Sequence, residues 1–201
     1  MTRQRTADVR DLDRQALALA SGVIAQVQGA DLVRPTPCAS WNLAELLRHI
    51  VGENRGFAAN AMSAPVDRSI WDSGDLRTDA YRAFQDSADA VTEAFAAPDA
   101  YDRQVEVREF GIFRGRVALS MHFVDVLVHG WDVAATIGAP YHPDPELTAA
   151  ALTIARQWPD TPSSRGPGAA FSPQVPVSTD AADFERLLGL LGRSPLWTRP
   201  F

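Results

Sequence analysis

Apolar side chains recur with a helical period over most of this chain. Leu12, Ala16, Leu19 and Val23 share one face of a helix predicted over residues 8–28, which Gly29, Pro35 and Pro37 interrupt. A second helix opens at "NLAE", where Asn42 is a good N-cap and Glu45 completes a capping box. It continues to residue 62, with Leu43, Leu46, Leu47, Ile50 and Phe57 turned inward. Ala80, Phe84, Val91 and Phe95 mark a third helix over 78–96, ended by Pro98. The period then changes: Val105 and Val107 alternate with charged residues, which predicts one short strand. A fourth helix over 116–137 is apolar on nearly every side and stops at Gly138. Beyond it the pattern predicts a shorter helix over 145–157, a Pro/Gly/Ser loop, an edge strand in "QVPVST" and a last helix over 180–191. Four long amphipathic segments predict a mainly α protein. The expected layout is a four-helix bundle over 1–140 with a small α/β extension over 141–201.

Composition narrows the function classes. The chain has 201 residues, 46% hydrophobic and 22% charged, as expected of a globular protein with a real core. A net charge of -6 argues against nucleic acid as partner, because phosphate binding wants a basic face. No stretch approaches a membrane span, and "MTRQRTADVRDLDRQ" has no apolar signal-peptide core. Cys38 is the one cysteine, so no internal disulfide forms and a cytoplasmic location is expected. All 19 basic residues other than histidine are arginine, which together with the abundance of alanine suggests GC-rich coding and a bacterial source.

The chemistry concentrates in "HFVDVLVHGWD", residues 122–132. At about 100° per residue, Asp125 lies near about -60° from His122, His129 near about -20° and Asp132 near about -80°. These four polar groups form one stripe on a helix that is otherwise apolar, so the stripe faces the bundle interior. Buried ionisable groups must be paired, hydrogen-bonded or metal-bound. A His–Asp pair that only supports the core is one reading. The other is a metal site, because His49 in "ELLRHIV" also sits beside an inward stripe, and bundle cores assemble metal sites from facing helices. His122 and His129 are too far apart to chelate one ion, at about 10 Å along the axis. The chelating pair is therefore either His122 with Asp125 or Asp125 with His129. With His49 as a third ligand, two imidazoles and a carboxylate leave a coordination position open, a set suited to zinc, iron, nickel or manganese.

Those residues carry a resemblance. "ELLRHIVGEN", "DVLVHGWDVA", "RGPGAAF" and "LLGLLGRSPLW" occur in the order seen in actinobacterial metal-binding proteins of the DinB-like superfamily. More closely, the chain resembles the metal-binding domain of the mycothiol-dependent maleylpyruvate isomerase family. The resemblance implies a DinB-like bundle and a divalent metal, zinc or nickel, on His49, Asp125 and His129. It departs at Asp125, where the isomerases have glutamate and many DinB-like relatives histidine. It further implies a small-molecule thiol, mycothiol, as co-substrate. Its sulfur attacks a small electrophile, giving isomerisation or an S-conjugate in an isomerase or S-transferase. The alternative is a non-catalytic metal- or ligand-binding module. A homodimer is allowed.

Other residues have expected places. His122 either supports the ligands or lines the pocket, or is a plain core histidine. Asp132, within a turn of His129, is expected to orient its ring, the alternative being a capping or pairing role near the helix end. Glu53, four residues past His49, reads as a solvated surface charge; the alternatives place it at the pocket, hydrogen-bonded to that ring or binding a substrate cation. Arg55, Arg114 and Arg116 are candidates for holding a substrate carboxylate. Trp41 and Trp131 are expected in the core, His142 on a surface loop, and Cys38 as an inert buried thiol.

Overall fold

The computed structural model describes residues 7–38, 41–62, 67–161, 164–166 and 171–199. Four helices form the bundle: α1 (Val9–Ile24), α2 (Leu43–Ala61), α3 (Ala80–Ala96) and α4 (Gly115–Ile137). Each start follows local chemistry. Asp8, Asn42 and Asp79 cap α1, α2 and α3 by accepting backbone N–H bonds, and Asn42 with Glu45 forms the reciprocal box expected of "NLAE". The third helix begins two residues later than its apolar pattern predicts, because the Asp79 carboxylate takes the Arg82 N–H at 3.0 Å and fixes the cap there. Gly138 ends α4 in the left-handed conformation, with φ 75°.

Helix α1 packs on α4 and α3, and α2 packs on α3 and α4, so the four stand around one apolar core. Phe84, Phe95, Phe123, Leu46, Leu119 and Leu127 are among its fully buried side chains. No described helix is long and apolar enough to cross a membrane.

Between α3 and α4 the predicted single strand is half of a hairpin. Strand β1 (Gln104–Val107) pairs antiparallel with β2 (Gly111–Arg114), from Gln104 opposite Arg114 to Val107 opposite Gly111. The second strand has only one isoleucine and one phenylalanine between glycine and arginine, too little alternation to be seen in advance. The turn Arg108–Phe110 holds Arg108 at φ 40° and Gly111 at φ 104°. Left-handed backbone is unfavourable for arginine, and its side-chain bonds offset that cost.

The C-terminal part contains α5 (Pro145–Ala155) and α6 (Asp183–Leu190). These pack on one another, and α5 also meets α4 and α1. The edge strand expected in "QVPVST" is absent. Pro173 and Pro176 have no N–H to give a ladder, and the segment lies over the end of α6, where the Val175 N–H donates to Gly189 O at 2.9 Å.

Glycines permit two close approaches near the site. A Cβ on Gly56 would come within 2.1 Å of the Trp71 ring, and one on Gly52 within 2.3 Å of Trp71 O, so the 3-10 turn Arg68–Asp72 can seat its indole against α2. A Cβ on Gly130 would come within 2.6 Å of the Tyr141 hydroxyl. That hydroxyl donates to Leu127 O at 2.8 Å and ties the segment after α4 back onto it.

Candidate metal centre and cavity

His49 projects from α2, and Asp125 and His129 project from α4 one turn apart. One ligand atom from each lies within 4.8 Å of the others. The His129 Nε2 is 3.4 Å from Asp125 Oδ1, and the two imidazole centroids are 4.9 Å apart, edge to face. On the far side of His129, its Nδ1–H donates to Asp132 Oδ2 at 2.9 Å. That bond fixes the tautomer and leaves Nε2 for Asp125 and His49. Asp132 is fully buried, and its counter-charge comes from the C-terminal part: Arg193 Nη2 donates to the same Oδ2 at 3.0 Å. Arg193 also reaches Cys38 Sγ at 3.4 Å and Leu191 O at 2.8 Å. Cys38, His129 and Asp132 make a second close group of metal-ligating type. Its His129 nitrogen and carboxylate are engaged with each other and with Arg193, whereas the first group faces open space.

Electrostatics follow from this packing. Burial, then the neighbouring His129, push His49 down to about 3, so its ring is a neutral donor. Burial also works against charge on His129, but the Asp125 and Asp132 carboxylates on its two sides outweigh it and raise the ring to about 10. Burial opposes the Asp125 charge too, and the His129 charge and hydrogen bond overcome it, holding this carboxyl below its usual range. Without an ion, the site is an imidazolium clamped by two carboxylates. An ion would take the place of the Nε2 proton between the same donors. Two imidazoles and a carboxylate converging from two rigid helices fit a divalent transition metal.

These groups sit at the base of a cavity of about 510 Å³. The loop before α2, closed by Trp41 N–H to Cys38 O at 2.8 Å, brings Cys38 and Trp41 to its wall. The Trp41 ring lies over His49, with centroids 4.5 Å apart, so this tryptophan is a wall of the site as well as a partner of the core. The hairpin turn supplies Arg108, Glu109 and Phe110, and the C-terminal part supplies Trp158, Phe171, Leu191 and Arg193.

The structure distributes the remaining sequence-predicted residues as follows. His122 is not in the cavity: it is fully buried, with Nδ1 at 2.7 Å from Asp13 Oδ1 and Nε2 at 2.9 Å from Asn54 Oδ1. Glu53 is not a solvated charge. It is 6% exposed, hydrogen-bonded by Arg108 Nε and 3.6 Å from His49 Nδ1. Burial first, then Asp125, raise its carboxyl to about 7. None of the three arginines named for a substrate carboxylate lines the cavity. Arg55 donates to Ser73 O, Arg114 extends to Asp102 at the surface, and Arg116 stands over the Tyr101 ring. The arginines that do line it are Arg48, Arg108 and Arg193. Trp131 packs partly buried against the core, and His142 is exposed. Cys38 is half-buried on the cavity wall, its thiol pushed up by burial despite Arg193. Arg193 lies inside the "LLGLLGRSPLW" motif, so it was in view, but nothing in spacing could aim it at a residue 61 positions earlier.

Comparison with known proteins places the fold and the family. Two Mycobacterium tuberculosis proteins are each 33% identical to the chain over 175 residues, 87% of this chain and 91% of theirs. They are uncharacterized protein Rv0738 of strain H37Rv and uncharacterized protein MT0763 of strain CDC 1551. Crystal structures of a mycothiol-dependent maleylpyruvate isomerase and of a histidine-to-alanine mutant of that enzyme share the fold, with TM-scores of 0.58 and 0.59 at 15% identity. Each match covers 73% of this chain and 66% of the isomerase, just under two thirds of that protein's length. Residues 9–134, which hold all four bundle helices almost to the end of α4, match the family described as the mycothiol maleylpyruvate isomerase N-terminal domain. The chain therefore belongs to the mycothiol maleylpyruvate isomerase N-terminal domain family.

Proposed function

We propose that this protein is a metal-dependent S-transferase or isomerase that joins a low-molecular-weight thiol, mycothiol in the first instance, to a small electrophile. The observation that carries the reading is the convergence of His49, Asp125 and His129 within 4.8 Å at the base of an open cavity. These three residues would hold one divalent ion, zinc or nickel. When bound, the ion supplies Lewis acidity that lowers a thiol's pKa toward neutrality.

The chain's own residues do the rest. Asp132 accepts the Nδ1–H of His129 and holds that ring's other nitrogen toward the cavity. Arg193 neutralises Asp132 where water cannot. Trp41 shields His49 on one face. Arg108 keeps Glu53 in place beside His49 through its own bonds to Glu53 and to Trp71 O. In the reaction, a C–S bond forms between thiol sulfur and electrophile, and the thiol proton passes to solvent. Conjugation ends there with loss of a leaving group. Isomerisation ends when the C–S bond breaks again after rotation and the thiol is regenerated.

Calorimetric titration of mycothiol into metal-free and zinc-loaded protein tests the reading, followed by a conjugation assay with monochlorobimane. Binding confined to the loaded protein, with turnover, supports it. Equal affinity for both forms excludes it, and loaded-form binding with no conjugation or isomerisation makes the protein a binding module.

A further inference from the structure

Two features of the cavity wall bear on what the electrophile can be. The first is a row of parallel rings. Phe110 in the hairpin turn stacks on Phe171 with centroids 6.2 Å apart and 27° between planes. Phe171 stacks in turn on Trp158 at 5.2 Å and 28°. The hairpin turn and the C-terminal part thus present one aromatic wall to the cavity, with the Arg165 guanidinium 5.7 Å from the Phe171 centroid. Flat apolar faces of this kind gain from a further offset-stacked ring.

The second feature is the state of the cations. Among the described residues, two arginines with mostly buried side chains line the cavity, and both are already bound to carboxylates: Arg108 to Glu53 and, at 3.5 Å, to Asp72; Arg193 to Asp132. The third, Arg48, is exposed at the rim and shares it with Glu45. Among the described residues, five carboxylates line the cavity against three guanidiniums. A divalent ion at its base would only offset that surplus. Burying a carboxylate needs a free bidentate partner or several donors, and a dicarboxylate needs two such sets.

We infer that the substrate of this cavity is a planar aromatic electrophile, uncharged or cationic, and not a dicarboxylate. The inference deepens the proposed function and rests on its reading of this cavity as the substrate site. In the group-transfer step, the sulfur of the low-molecular-weight thiol bonds to carbon while the bond from that carbon to its leaving group breaks. The leaving group departs with the electron pair, and the thiol proton goes to water.

Binding without thiol separates this inference from the thiol chemistry. Tryptophan fluorescence of the zinc-loaded full chain is titrated with 4-nitrobenzyl alcohol, a neutral planar aromatic, and with maleate. The aromatic is expected to bind at least about tenfold more tightly. Phe110→Ala, at a position 38% exposed in the hairpin turn, is expected to weaken the aromatic by about three- to tenfold and leave maleate unchanged, with circular dichroism showing the fold retained. Maleate binding as tightly as the aromatic, binding of neither probe, or a Phe110→Ala protein with full affinity for the aromatic overturns the inference. Aromatic preference in a protein that fails to bind mycothiol leaves it standing and removes the thiol reading instead.

Discussion

His122 on α4 and Asp13 on α1 are joined by a 2.7 Å hydrogen bond at a point no solvent reaches. The other ring nitrogen faces Asn54 Oδ1 on α2 at 2.9 Å. Asn54 Nδ2 donates to Ser87 Oγ on α3 at 2.9 Å, and that hydroxyl donates to Phe84 O at 2.7 Å. With Nδ2 spent on Ser87, the Asn54 oxygen must meet His122, so both ring nitrogens face acceptors. One chain of side chains therefore links all four bundle helices around an imidazolium.

Breaking that chain should cost stability without emptying the proposed metal site. His122→Ala or Asp13→Ala leaves a buried charge unpaired, and a loss of about 3–5 kcal/mol is expected. Urea unfolding measures the loss, and elemental analysis of the folded fraction should show metal retained. A His122→Ala protein of full stability that has lost its metal would assign His122, and not His129, to the ion.

The same pair gives stability a defined pH dependence. Burial lowers the His122 pKa, but the Asp13 carboxylate, with Asp125 and Glu53 behind it, raises it further than burial lowers it. A group whose pKa is raised on folding stabilises fully below its unfolded value, near 6.5, and that contribution is lost as pH rises through the folded value. The stability gap between wild type and His122→Gln should therefore narrow as pH rises from about 6.5 upward. Unfolding curves of both proteins across that range are the check, and a constant gap would contradict it.

For the proposed metal, His49→Ala and His129→Ala should each abolish stoichiometric binding. The measurement is elemental analysis of untagged protein purified without chelator. Asp125→Glu, which keeps a carboxylate on the same turn of α4, should retain the ion.

Arg193 acts at one remove. Arg193→Leu strands the buried Asp132 charge and frees the carboxylate that orients His129. Metal affinity should fall about 10–100-fold, as for other groups that orient a ligand. Adding Asp132→Asn removes the stranded charge and should recover most of the stability but not the affinity. Competition with a chromophoric chelator reads affinity, and thermal unfolding reads stability. Equal recovery of both would mean that Arg193 serves the fold alone.

The bundle was legible because its helices are long and strongly periodic, and because capping residues stand where α2, α3 and α4 begin or end. Spacing on rigid helices narrowed the site to His49 and Asp125 with either His122 or His129; the family resemblance pointed to His129, and the structure groups His49, Asp125 and His129. Glu53 was misplaced because its partner, Arg108, sits in a hairpin turn 55 residues away, held in a backbone conformation that arginine rarely adopts. The cavity's aromatic wall escaped prediction because Phe110, Trp158 and Phe171 lie in segments without periodicity. Where residues 174–179 are concerned, alternation read as a strand, but Pro176 within the segment, Pro173 just before it and the end of α6 left it nothing to pair with.

The pairing of Asp132 with Arg193 bears on how such a chain can change over generations. One half lies within the stretch that matches the family and the other in the segment that follows it. Neither can be exchanged alone without leaving a charge stranded in the interior. Lineages that keep aspartate at one position should keep arginine at the other, and lineages that lose one should lose both. A recombination that grafted a foreign tail onto this bundle would have to bring its own counter-ion with it.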